Sequence, residues 1–280
     1  MGISDIADSI TRQVENVTDT MSEAFFEPVI RLGVTGLARA GKTVFITSLV
    51  ANLMDRGRMQ GFGATNRIEA AFLQPQPDDT VPRFAFEEHL AALTGPAPHW
   101  PSSTRAISEL RLSLRVKPSG LLAGFQSART VHIDIVDYPG EWLLDLGLMD
   151  KSYAEWSAEV FERLAAREEA EGFLARAAAT QGADKLSEPV AKALAEDFTE
   201  YLTKARDAGY YDCSPGRFLL PGELAGSPVL TFAPLQPAEG AGRRSLIREM
   251  ERRFEAYKSR VVTPFFRDHF AKIDRQVVLL

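Results

Sequence analysis

Residues 28–57, PVIRLGVTGLARAGKTVFITSLVANLMDRG, decide the fold. The first nine are rich in branched apolar residues and fit a buried strand that ends at Gly36. After Lys42, the residues Val44, Ile46, Leu49, Val50, Leu53 and Met54 recur at helical spacing, and a glycine stops the pattern. Between strand and helix stands Gly36-Leu37-Ala38-Arg39-Ala40-Gly41-Lys42-Thr43, which fits G-x-x-x-x-G-K-[ST]. Glycines let the backbone curl so that successive N–H groups face an anion, and the start of the helix adds its positive end. The pattern arises by chance in about one chain in a hundred of this length, and here its strand and helix are also in place. Residues 36–44, from Gly36 to Val44, are therefore expected to cradle a nucleotide. Lys42 would reach the β- and γ-phosphates, and the Thr43 hydroxyl would ligate Mg2+.

A phosphate loop alone does not separate kinases, ATPases and GTPases. Downstream, HIDIVDYPGEW over 132–142 alternates as a strand and ends at Asp137, with Gly140 three residues on. In GTPases an aspartate at this strand end holds Mg2+ through water, and the glycine N–H senses the γ-phosphate. D-x-x-G occurs about once by chance in a chain this long, so its position after the strand carries the reading. Glu141 stands where many GTPases place a glutamine that orients water. A carboxylate there could orient or deprotonate the water, or simply pair with a cation. Thr104 lies just before the preceding strand, where a switch threonine completes the Mg2+ shell; Ser102 and Ser103 are weaker substitutes. Arg39, inside the loop, and Arg105, after Thr104, could neutralise transition-state charge, a contribution worth ~10³–10⁵ in rate.

The motifs GLARAGKT, WPSSTR and VDYPGEWLLDL resemble the YcjX family of bacterial P-loop proteins, described as stress-associated and GTPase-like. The similarity continues through VVTPFFRDHFAKIDRQVVLL at the end of the chain. It implies a Ras-like core using GTP, GDP and Mg2+, and members longer than this chain. It also implies that RQVVLL normally continues into a segment that reads guanine with a T-K-x-D-type motif. No such motif stands on a strand end here, because GADKLSE around Asp184 has helical surroundings. Guanine specificity thus rests on the resemblance, and an ATP-specific ATPase stays open. A nucleotide-gated scaffold with little hydrolysis is the alternative outside enzymology.

Organised in full, the chain is expected to be an α/β P-loop NTPase with a mixed, mostly parallel sheet, a large helical insertion and a C-terminal truncation. Residues 1–28 would hold an amphipathic helix, with Ile3, Ile6, Ile10, Val14, Val17, Met21 and Phe25 on one stripe. Residues 29–144 would form the first part of the nucleotide domain, 145–272 the insertion and 273–280 the next core strand. Strands are predicted over 107–116 and 129–137, joined by a loop with Gly120 and Gly124, and a short helix over 86–94. Residues 58–103 read as loop in part, Pro-rich and polar at QPQPDDTVPR and TGPAPHWPSST on either side of that helix, 209–242 as irregular, and the last helical segment as interrupted at Pro264.

The net charge of −6 gives no reason to expect nucleic acid as a partner. A single cysteine, Cys213, without a catalytic neighbour pattern, fits a reducing cytoplasm. No apolar run reaches the ~18 residues of a membrane span. A protein partner could dock on the N-terminal helix or the insertion. Arg243, Arg244, Arg248, Arg252 and Arg253 open a helix, either as an acidic-partner patch or as a solvated face paired with nearby glutamates. Trp142 and Trp156 are expected to pack. His89, His99, His132 and His269 lack metal-ligand spacing.

Overall fold

Five strands form one mixed sheet in the order β2-β3-β4-β1-β5 in the computed structural model, which describes residues 27–55, 67–101, 106–118 and 127–279. The strands are β1 Val29–Gly36, β2 Ile68–Gln74, β3 Ser108–Val116, β4 Arg129–Asp137 and β5 Arg275–Leu279. The helix predicted over residues 3–26, the switch candidate Thr104 with Ser102, Ser103 and Arg105, and the loop glycines Gly120 and Gly124 lie outside the described residues.

β1 ends at Gly36, and helix α1, Lys42–Met54, begins directly after the glycine loop. β1 grows more buried toward its C-terminal end, which brings the loop to the edge of packed structure. β3 and β4 fall where their alternation predicts. Helix α2, Phe86–Thr94, matches its predicted span and is tethered by Phe86, its one buried residue.

The described residues fall into two compact units, one within 27–32, 44–99 and 109–136 and the other within 33–43, 100–108 and 137–279. In the first, β2 pairs antiparallel with β3, from Ile68 opposite Val116 to Gln74 opposite Arg111. The sequence reading of 58–103, loop in part with one helix, assigned no strand here. IEAAFLQ alternates poorly and sits at the sheet edge, so only its pairing with β3 makes it a strand. Arg111 grips buried Asp134 with two bonds of 2.6 and 2.8 Å. Ser113, His132 and Glu27 form a polar chain, with 2.8 and 2.7 Å between successive partners, and Ser113 is fully buried. His132 is thus structural.

The second unit is held by aromatic packing. Helices α3 Tyr153–Leu164, α4 Glu171–Ala179, α5 Glu188–Asp207 and α6 Leu246–Tyr257 carry most of it. A reciprocal capping box of Ser152 and Glu155 starts α3. Trp156 stacks on Phe254 at 4.9 Å between ring centroids and meets Phe198 and Phe232 edge-on. Each such side chain contributes about 1.5–3 kcal/mol by leaving water. Arg253, at the end of the basic run, is buried and bridges Glu249 to Glu188. Arg252 pairs with Glu249 and Arg248 with Glu251, so the cluster is largely compensated.

Pro264 does not interrupt the last helical segment, contrary to the sequence expectation. Helical turns continue from α6 to Lys272, with π turns at Lys258–Val262 and Phe265–His269. Wider turns on either side accommodate a residue that has no N–H to donate. β5 is half-exposed rather than buried. Among the described residues, no helix is long and apolar enough to cross a membrane.

Candidate phosphate-binding site

The loop between β1 and α1 is closed from within. Ala40 N–H donates to the Leu37 carbonyl at 3.1 Å, and Lys42 Nζ donates to the Gly36 and Leu37 carbonyls at 2.6 and 3.3 Å. Lys42 is buried, and burial lowers its pKa against the opposing pull of Asp137 and Glu141. Those two carboxylates therefore lie within electrostatic reach of the ammonium. Gly41 has φ +86° and Arg39 +69°. Arg39 is thus a side-chain-bearing residue in the left-handed region, at about 1–2 kcal/mol over the ordinary conformation.

The turn after β4 packs directly on this loop. A Cβ on Gly140 would lie 2.6 Å from both the carbonyl carbon and oxygen of Gly36, and 3.1 Å from the Leu37 nitrogen. Only glycine fits against backbone so near. Gly36 is equally confined, since its Cβ would meet the Leu279 carbonyl at 2.4 Å. Asp137 ends β4 and is buried, as is Thr43 in the first turn of α1. A buried hydroxyl and a buried carboxylate are hard oxygen donors of the kind that suits Mg2+ retaining several waters. Among the described residues, no three His, Cys, Asp or Glu side chains gather as a metal site, so phosphate and water oxygens would have to supply the remaining donors.

Glu141 lies in the first turn of a 3-10 helix, Gly140–Leu148, and is only 1% exposed. Its Oε1 accepts the Ala38 N–H at 2.8 Å. The Glu141 carboxylate thus turns toward the glycine loop. Beside it opens a cavity of about 500 Å³, lined by Leu37, Ala38, Arg39, Glu141, Arg206 and Tyr210 among others.

Of the residues singled out from the sequence, the structure gathers Gly36, Leu37, Ala38, Lys42, Gly140 and Glu141 by direct contact. Asp137 stands within electrostatic reach of Lys42, Arg39 lines the same cavity, and Thr43 lies next to Lys42 in sequence. Sequence reasoning missed what holds the 3-10 helix. Asp145, 2% exposed, accepts from Gly216 N–H at 2.7 Å, the Ser214 hydroxyl at 3.2 Å and the Tyr257 hydroxyl at 2.5 Å. Burial pushes its pKa up to about 6, against the pull of those donors and of Arg217. Trp142 Nε1 donates to the Leu220 carbonyl at 2.9 Å, and the Arg217 guanidinium lies 3.2 Å from the Trp142 ring centroid. One signal was present: a single acid inside the apolar run WLLDLGLM. Cys213 is buried, and burial raises its thiol to about 11, which fits an inert packing residue.

A glycine loop on a strand–helix junction, met by an aspartate strand end and a glycine turn, matches the pattern that the resemblance implies. The model of the YcjX-like family, DUF463, matches residues 30–280. The chain belongs to the YcjX-like family. It is 40% identical over 277 residues to a Shewanella oneidensis protein named "Ras-like GTPase YcjX", covering 90% of this chain and 57% of the relative. To the Escherichia coli protein of the same name it is 35% identical over 286 residues, covering 96% and 61%. The chain therefore spans about three fifths of the length of these YcjX-like relatives.

Proposed function

We propose that this chain carries the phosphate-binding core of a GTP-binding, GTP-hydrolysing switch protein that works with Mg2+. The observation that carries the reading is the packing of Gly140 against Gly36 and Leu37, because it sets a γ-phosphate-sensing turn directly on the phosphate cradle. Relatives named as Ras-like GTPases support guanine as the base.

In this reading residues 36–44 surround the phosphates with backbone N–H groups, and Lys42 neutralises the β- and γ-oxygens. Thr43, Asp137 and, before β3, Thr104 hold the cation, whose role when bound is to neutralise charge on the phosphate oxygens. Glu141 orients the attacking water for in-line displacement, and Arg39 supplies positive charge from within the loop. Residues 29–144 act as the nucleotide core and 145–272 as a helical insertion, with the insertion or the N-terminal segment offering a surface to a protein partner.

Binding of fluorescent GDP, a GTP analogue and an ATP analogue with Mg2+ tests this reading, with Lys42→Ala as control. Guanine preference that Lys42→Ala weakens by at least a hundredfold supports it; adenine preference moves the protein to the ATPases. Multiple-turnover phosphate release no faster than that of Lys42→Ala would leave a nucleotide-gated scaffold.

A further inference from the structure

The Glu141 carboxylate stands in the phosphate cradle. Its Oε1 holds the Ala38 N–H at 2.8 Å, and its charge acts on Lys42. Those are the two kinds of partner, a loop N–H and the lysine charge, that a terminal phosphate needs. Its second oxygen, Oε2, is buried and has no hydrogen-bond partner among the described residues. A buried carboxylate oxygen without a donor gains from being displaced into water or onto a cation.

Glu141 has little freedom to yield by moving its backbone. A Cβ on Gly216 would lie 1.9 Å from the Glu141 carbonyl oxygen and 2.4 Å from its carbonyl carbon, so the Gly216 backbone presses on that peptide. Asp145, four residues on, ties the same 3-10 helix to Gly216. The side chain, in contrast, borders the cavity of about 500 Å³ that Arg39 and Arg206 also line. A triphosphate can thus be admitted by rotation of one side chain into open space beside Arg39 and the Arg206–Asp207 pair.

We infer that Glu141 is a specificity-determining residue that sets the preference of the loop for nucleoside diphosphates over triphosphates, by competing with the terminal phosphate for the Ala38 N–H. This rests on the phosphate-loop reading and deepens it: the carboxylate that orients water must first be driven out of the cradle by the substrate. A diphosphate leaves the Ala38 N–H to Glu141 and meets no competition.

The test is the dissociation constants of GDP and a non-hydrolysable GTP analogue, with Mg2+, for the full chain and for Glu141→Gln and Glu141→Ala. Glutamine has the same shape and removes only the charge, so it answers the question even if the alanine variant unfolds. A hydrogen bond involving a charged group corresponds to about tenfold to a hundredfold in affinity. Wild type should therefore favour GDP, and both variants should bind the GTP analogue at least tenfold tighter than wild type while GDP affinity stays within about twofold. Unchanged or weaker binding of the GTP analogue by Glu141→Gln overturns the inference while leaving the phosphate loop intact. No binding of either nucleotide by any of the three proteins overturns the loop reading and the inference with it.

Discussion

Asparagine at position 145 keeps the shape of the aspartate and removes its titration. Burial raises the folded carboxyl from 3.8 to about 6. Between those values the folded chain holds a proton that the unfolded chain has released, so this group's contribution to stability is full at low pH and is lost as pH rises through about 6. The full difference, about 2 pKa units, corresponds to about 3 kcal/mol. About 2 kcal/mol of that lies between pH 4.5 and 7, because the unfolded carboxyl is mostly ionised already at pH 4.5. Asp145→Asn lacks the whole dependence, while its amide oxygen can still accept from the Gly216 N–H. Every other ionisable group is common to the two proteins and cancels in the comparison. Urea unfolding of both at half-unit intervals should therefore show wild type losing about 2 kcal/mol relative to Asp145→Asn from pH 4.5 to 7. A constant difference would mean that burial does not govern this carboxyl. A difference of opposite slope would mean that the three donors from Ser214, Gly216 and Tyr257 outweigh burial and hold the folded pKa below the ordinary value.

Two further substitutions probe the loop itself. Gly140→Ala places a methyl against the Gly36 and Leu37 backbone, where no side chain can move aside; a loss of about 1–3 kcal/mol should appear in thermal unfolding, together with weaker binding of the GTP analogue. Unaltered binding of that analogue would detach the glycine turn from phosphate sensing. Arg39→Gly relieves a φ of +69° and should stabilise the chain by up to about 1 kcal/mol, yet lower phosphate release at least tenfold. A stabilised variant with wild-type turnover would remove Arg39 from catalysis.

The strand, glycine loop and helix at 29–54 were legible because their causes are local: branched apolar residues, glycines at fixed spacing and a helical stripe. Asp137 and Gly140 were legible for the same reason, being tied to the end of an alternating strand. β2 was not, since IEAAFLQ has little alternation and gains its conformation from β3, more than 30 residues away in the chain. Pro264 misled because a proline's effect depends on the pitch of the helix around it, and π turns absorb it here. At the site, the sequence singled out Glu141 but could not show its contact with the Ala38 N–H, which follows from the packing of two turns about 100 residues apart. The Asp145 clasp depends on donors 69 to 112 residues downstream, which no spacing rule can find.

That clasp makes two distant stretches of the chain depend on one another. Gly216 can carry no side chain while the Glu141 carbonyl stays where it is, and Asp145 needs a hydroxyl at 257 or 214 for the donors that steady it. Neither stretch can drift alone. A chimaera that exchanges residues 145–272 would separate Gly216, Arg217 and Leu220 from Glu141 and Trp142, so its success would turn on whether the incoming segment still fits against those two residues.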